Sequence, residues 1–257
     1  MVNSKSVLRF NKLTFRKKVY ICVNHTHKRM NQNMRIAVDA IVFGYQNNKV
    51  YVLLIQQKFG SEKAYWALPG GLVQEKETLT EAVERELKEE TNVEINYFEQ
   101  LYTFGDDIHR DSRNRVISVA YFALVDSSKF KIKADSDAEN VQWFEINKIP
   151  ELAFDHNLIL KKAVERLKAK LTYQPIGFDL LPKEFLFSEL ENLYCTILEK
   201  EIDRRNFRKK ILSFGIIEET EHFSPVKSGR PAKLFRFNKQ KYNALQKEGF
   251  HFEIKFA

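Results

Sequence analysis

Residues 70–93 read Gly-Gly-Leu-Val-Gln-Glu-Lys-Glu-Thr-Leu-Thr-Glu-Ala-Val-Glu-Arg-Glu-Leu-Lys-Glu-Glu-Thr-Asn-Val. Thr78 stands three residues before Glu81, a capping box that predicts a helix start. Leu79, Ala82, Val83 and Leu87 then recur at helical spacing as one apolar stripe. At about 100° per residue Glu86 and Glu90 fall inside that stripe and Glu89 at its edge. Glu84 and Lys88 face outward as a favourable i,i+4 pair. Inward carboxylates crowded on one turn repel each other unless a cation sits among them.

A hard divalent cation suits oxygen ligands at i, i+3 and i+4, and Mg²⁺ is the first choice because water and substrate phosphates complete its shell. The Gly70–Gly71 pair lies just upstream, where backbone passes close to something. On the helix alone, a charged surface helix with Glu-rich turns reads equally well.

The wider spacing separates the two. Gly71, Glu77, Arg85, Glu86, Leu87, Glu89, Glu90, Asn92 and Val93 form G-x5-E-x7-R-E-L-x-E-E-x-N-V. This resembles the Nudix box at every defining position but one. The family has Gly where this chain has Asn92, and Asn is the next-best residue for a left-handed helix end.

The 257 residues suffice for two domains. No run of roughly 18 apolar residues is present, so no membrane helix is expected. Cys22 and Cys195 supply neither a disulfide framework nor metal-ligand spacing, as in a reducing cytoplasm. The net charge of +8 is unevenly spread. Residues 1–35 hold nine Lys or Arg and no acid; the remainder has 33 basic and 34 acidic residues. The basic extension, 1–34, is expected to be disordered. Three readings stay open for it: a nucleic-acid-binding arm, a targeting segment, or residues upstream of the true start at Met30 or Met34. The last is favoured.

Residues 35–43, 49–56, 94–104, 116–125 and 141–144 read as strands, and 157–171 as a second amphipathic helix with Asp155 before it as a cap. A polar loop, 105–115, lies between two of the strands. These elements predict an α+β fold, with a first domain at 35–172. His109 and His156 read as structural.

Residues 172–182, with Pro175, Gly177 and Pro182, mark the boundary, and a second domain spans 173–257. Ser188 caps a predicted helix through Leu198. Asp203 caps another that ends at Gly215. Strands follow at 216–223 and 233–237, then a short helix capped by Asn238. Helix, turn, basic helix and two-stranded wing outline a winged helix-turn-helix. Between Arg204 and Lys241 there are eleven basic residues and three acids, the charge that a phosphate backbone requires. Arg204, Arg205, Asn206, Arg208 and Lys209 occupy the second helix, whose first residues face the major groove in this motif. Arg and Asn read G and A bidentately. Lys227 and Arg230 lie in the wing, for phosphates or a minor groove. A helical protein-interaction domain with a solvated basic face remains the alternative.

A Nudix box followed by a basic winged helix resembles the Nudix-related transcriptional regulators. The resemblance covers about residues 36–245 and rests further on P-I-G-F-D-L-L-P-K at 175–183, D-R-R-N-F-R-K-K at 203–210, G-R-P-A-K-L-F-R-F at 229–237 and L-A-F-D-H at 152–156. One branch senses ADP-ribose. Another, of Bacteroidetes type, senses a sugar such as arabinose, and the quoted segments favour it. The resemblance implies an α/β/α Nudix sandwich, with double-stranded DNA and a small-molecule effector as partners; a homodimer is expected because dimers bind paired half-sites, and a cytoplasmic location from the cysteine usage. In an active box, Glu86, Glu89 and Glu90 would hold Mg²⁺ or Mn²⁺, Arg85 would orient a carboxylate, Glu89 or Glu90 would serve as base, and Glu77 with Gly70 and Gly71 would support the loop. Two functions follow: a ligand-responsive DNA-binding regulator, or a Nudix hydrolase of ADP-ribose or a related diphosphate whose C-terminal domain dimerises.

Overall fold

The structure is a computed structural model and describes residues 33–57, 64–93, 95, 97–126, 141–224 and 231–254. The basic extension before Asn33 lies outside them.

Met34–Gln46 (β1) and Lys49–Gln57 (β2) form an antiparallel hairpin. Its turn residues Asn47 and Asn48 take φ of 51° and 56°. Positive φ at both positions matches the twist of the strands, and Asn tolerates it. Tyr65–Ala67 (β3), Gly70–Leu72 (β4), Tyr97–Phe104 (β5), Arg115–Leu124 (β6) and Val141–Glu145 (β7) complete one mixed sheet. Its order is β3-β2-β1-β6-β5, with β4 paired to β1 and β7 to β2. The central pair, β1 and β6, is parallel from Met34↔Arg115 to Phe43↔Leu124.

Alternation along β1 gives the sheet two buried faces. Val38, Ala40 and Val42 face Ala82, Val83 and Leu87 of Leu79–Thr91 (α1). Ile41, Phe43 and Tyr45 belong to the other face, with Ile159, Ala163, Leu167 and Leu171 of His156–Tyr173 (α2). Each fully buried Val or Leu contributes about 1.5–3 kcal/mol to this layering.

The helix start read from the sequence is present as expected. Thr78 Oγ1 accepts from Glu81 N at 3.2 Å, and Glu81 Oε2 accepts from Thr78 N at 2.7 Å. Asn92 ends α1 with φ 51° and ψ 30°, the left-handed conformation that Gly would otherwise supply.

After a 3₁₀ turn at Ile176–Leu180 come Phe187–Leu198 (α3), Arg204–Ser213 (α4), the antiparallel strands Ile217–Phe223 (β8) and Lys233–Phe237 (β9), and Lys239–Lys247 (α5). Phe185 adds a third short edge by exchanging backbone hydrogen bonds of 2.9 and 2.8 Å with Phe235. Asp203 caps α4 through Arg205 N and Asn206 N, at 3.0 and 3.1 Å. Asn238 caps α5 through Lys241 N at 2.8 Å. The apolar cluster on the α2 face of the sheet continues without a break through Leu193, Tyr194, Phe207 and Phe235.

Three local expectations shift. The helix α3 begins one residue before Ser188, and the Glu189 carboxylate accepts from Leu186 N at 2.7 Å instead of a Ser188 cap. The strand expected from Glu94 begins at Tyr97. β3 and β4 are too short for alternation to reveal; their pairing partners in β1 and β2 decide them. Among the described residues no helix is long and apolar enough to cross a membrane.

Candidate functional site

The loop between β4 and α1 is clamped by one ion pair. Arg85 Nε donates to Glu77 Oε2 at 2.9 Å and Arg85 Nη2 to Glu77 Oε1 at 2.7 Å. Glu77 Oε1 also accepts from Gln74 N at 2.7 Å, and Arg85 Nη2 reaches Leu72 O at 3.3 Å. The Arg85 guanidinium and then the Gln74 amide hold Glu77 down at about 2. Arg85 Nη1 donates to Glu86 Oε1 at 2.8 Å and lies 3.4 Å from Glu89 Oε2.

The inner carboxylates sit under the glycine pair. Glu90 Oε2 accepts from Gly70 N at 2.9 Å, and its other oxygen accepts from the Gln57 amide. Burial, and then the nearby Glu86 and Asp39 charges, push Glu90 up to about 7 against those two hydrogen bonds. A Cβ on Gly71 would stand 2.3 Å from Glu86 Oε1. A Cβ on Gly70 would meet Val38 O at 2.1 Å. Gly70 therefore needs glycine, because backbone stands in the way, whereas a side chain at Gly71 would displace the Glu86 carboxylate.

The donor chemistry fits a hard divalent cation. Glu86 and Glu90 present carboxylate oxygens from one helix face, the donor type that such a cation takes. The third carboxylate stands apart: the Glu89 side chain is 62% exposed. Among the described residues, no three such side chains already converge as a ready metal site.

Behind the glycines lies a buried polar group built from β1, β6, the loop between β5 and β6, and the start of α2. Asp39 of β1 is 6% exposed and accepts from the Ser118 hydroxyl of β6. Arg110, from the loop between β5 and β6, donates to Asp155 through Nη2 at 2.6 Å and Nε at 2.9 Å. Its Nη2 also lies 3.6 Å from Asp39 Oδ2. His156 Nδ1 accepts from Leu68 N at 3.0 Å, and its Nε2 is 3.5 Å from Asp39 Oδ1. Burial, more than any neighbour, lowers the His156 pKa and keeps the ring neutral. Asp155 is thus taken by Arg110 and makes no side-chain cap to α2.

The second candidate surface is α4. Arg204, Arg205, Asn206, Arg208 and Lys209 are all exposed. Their roles differ. Asn206 Nδ2 donates to Asp203 Oδ2 at 2.7 Å. Arg208 lies over the rings of Phe187 and Phe235, at 4.3 and 5.4 Å from their centroids. Lys227 and Arg230 of the wing fall outside the described residues.

Known proteins resemble this chain. Residues 33–167 match the model of the NUDIX domain, and residues 177–237 that of the NrtR DNA-binding winged helix domain. The chain is 33% identical over 212 residues to an ADPR responsive transcriptional repressor of Acinetobacter baylyi, covering 81% of this chain and 84% of the repressor. The chain belongs to the NrtR family of Nudix-domain regulators. A crystal structure of Shewanella oneidensis NrtR complexed with a 27mer DNA is similar at a TM-score of 0.70 and 32% identity, over 79% of this chain and 93% of that one. An ADP-ribose pyrophosphatase of Methanocaldococcus jannaschii is 40% identical over 126 residues, 49% of this chain and 70% of the enzyme.

In this NrtR-family chain the structure brings Gly70, Gly71, Glu77, Arg85, Glu86 and Glu90 together and leaves Glu89 outward. The sequence reading missed Gln57, Asp39, Ser118 and Arg110 as neighbours of the box. One signal was there: Asp39 interrupts an otherwise apolar strand, Ile36-Ala-Val-Asp-Ala-Ile-Val-Phe43. A carboxylate at such a place needs a partner.

Proposed function

We propose that this NrtR-family chain is a transcriptional regulator that binds double-stranded DNA through α4 and its wing, as a homodimer, and that its Nudix domain senses ADP-ribose. The observation that carries the reading is the exposed row Arg204, Arg205, Arg208 and Lys209, held on a winged-helix frame that shares one apolar cluster with α2 and the sheet of the Nudix domain. The basic row supplies phosphate contacts and guanidinium groups at the end of the helix that enters a groove. The glycine pair would bring backbone close to a phosphorylated ligand, with Arg85 holding the loop that follows. The relatives named for ADP-ribose support that compound as effector.

Titration calorimetry of the full chain with ADP-ribose and, separately, with L-arabinose tests the sensor. Heat of binding with ADP-ribose alone supports the reading. Binding of the pentose alone would transfer it to the sugar-sensing branch that the sequence resembles.

Retained hydrolysis is a second reading, favoured by the Arg85–Glu77 clamp and the placement of Glu90. Glu86, Glu89 and Glu90 would hold Mg²⁺ or Mn²⁺, which supplies charge neutralisation and an activated water. Arg85 would steer Glu86, and Glu77 would keep the loop in place. Mg²⁺-dependent turnover of ADP-ribose that Glu89→Gln abolishes is the expected result; no turnover in the parent chain rules this reading out.

A further inference from the structure

The segment Leu68-Pro-Gly-Gly71 carries the backbone that holds Glu90; beside the pairing of Gly70 and Gly71 with β1, three hydrogen bonds fix it. Ala40 N donates to Pro69 O at 2.7 Å, Gly70 N to Glu90 Oε2 at 2.9 Å, and Leu68 N to His156 Nδ1 at 3.0 Å. The first two come from β1 and α1, elements of the site itself. The third comes from α2, which packs on the opposite face of the sheet, where the Leu68 side chain joins its apolar cluster.

We infer that His156 is the positioning residue of this loop, and that it makes α2 the mechanical link between the Nudix site and the winged helix. The second clause rests on the function proposed above. The ring has one orientation that works. Leu68 N–H requires an acceptor at Nδ1, so the proton resides on Nε2, which is turned toward Asp39. Asp155, one residue earlier, takes both arms of the Arg110 fork. The head of α2 is thereby tied to the glycine loop, to β1 and to the loop between β5 and β6.

Such a cluster is a costly way to hold a helix end. Buried ionic groups contribute less than apolar side chains of the same size, while they fix one geometry. The other end of α2 explains why one geometry matters. A helix of 18 residues is a rod of about 27 Å. Its C-terminal half places Leu167 and Leu171 in the cluster that holds Leu193 and Tyr194 of α3. Thr172 O accepts from Ile254 N at 2.8 Å, beyond the winged helix. A displacement of Leu68 to Gly71 is therefore passed to α2 as a unit and reaches α3.

Two isosteres separate positioning from simple burial. In His156→Asn the side-chain oxygen occupies the place of Nδ1 and still accepts from Leu68 N. In His156→Gln the amide follows Nε2, and the acceptor is lost. Hydrogen exchange of the ligand-free full chain, read on a peptide spanning Leu68 to Gly71, is expected to quicken about tenfold in His156→Gln and to stay near the parent rate in His156→Asn. Peptides of α3 should be unchanged in both. Equal behaviour of the two variants, whether both loosened or both native-like, would overturn the inference. This arm needs no effector, so it stands whether or not ADP-ribose binds.

The coupling is read on the same pair. The ratio of DNA affinities with and without ADP-ribose should fall to within about twofold of one in His156→Gln and persist in His156→Asn. A parent ratio retained in His156→Gln would remove α2 as the link.

Discussion

Arg85 and Glu77, eight residues apart, form a two-pronged ion pair with bonds of 2.9 and 2.7 Å, and the same guanidinium holds Glu86 at 2.8 Å. One side chain therefore sets both the loop that precedes α1 and a carboxylate on its inner face. A lysine keeps the charge but not the fork.

Arg85→Lys is accordingly expected to weaken Mn²⁺ binding about 10–100-fold, the usual effect of removing a group that orients a metal ligand. Isothermal calorimetry on the purified chain reads this. Parent-like Mn²⁺ affinity in the variant would mean that Glu86 needs no orientation by Arg85.

Glu90 is a carboxylate held under backbone, with Glu86 and Asp39 nearby. Glu90→Gln removes a charge that the ligand-free fold disfavours. The variant should melt about 2–4 °C higher than the parent, as about 1 kcal/mol gives in a chain of this size, and should lose any Mg²⁺-induced shift. A lower melting point in metal-free buffer would show that the charge is not a burden.

The basic residues of α4 are expected to divide by role. Arg205→Ala should relax sequence preference at one position of the DNA site, costing about 1–3 kcal/mol there. Lys209→Ala should weaken all sequences alike and lower the salt slope by about one. Arg208 rests on Phe187 and Phe235. Arg208→Ala should therefore lower the melting temperature as well as DNA affinity. Binding isotherms at several salt concentrations, with melting curves, check all three; a uniform loss across sequences in Arg205→Ala would remove its base-reading role.

Asp179, in the turn between α2 and α3, is pushed up to about 6 by burial, which outweighs the attraction of Lys239. The folded chain thus prefers the protonated acid. Its contribution to stability is complete below about pH 4 and is lost as pH rises through about 6. Two units correspond to at most about 3 kcal/mol, and partial exposure reduces this to about 1–2 kcal/mol. Unfolding free energies from urea titration should fall in the parent relative to Asp179→Asn between pH 4.5 and 7.5, by roughly that amount. Parallel pH curves would show that Asp179 does not titrate with folding.

What the sequence made legible was local. Thr78 and Glu81, Asn92, Asp203 and Asn238 act within four residues of where they stand, so their spacing alone announces them. The apolar stripe of α1 and the inward placing of Glu86 and Glu90 follow from helical period in the same way. The buried group around Asp39 depends on pairings 79 and 45 residues long, Asp39 with Ser118 and Arg110 with Asp155. Those partners meet only because β1 and β6 run parallel in one particular register and α2 returns across the sheet. For the same reason Asp155 reads as a cap in the sequence and is an ion-pair partner in the fold. A competing partner from a distant loop decides the matter, and no local pattern contains it.

The central claim is tested most directly by mixing the purified chain with sheared genomic DNA of its own organism and sequencing what is retained, with and without ADP-ribose. Enrichment of one or a few palindromic sites is expected, with a change in that enrichment when ADP-ribose is present. Retention of no fragment above background would contradict the DNA-binding function, and enrichment that ADP-ribose leaves unaltered would contradict its role as effector.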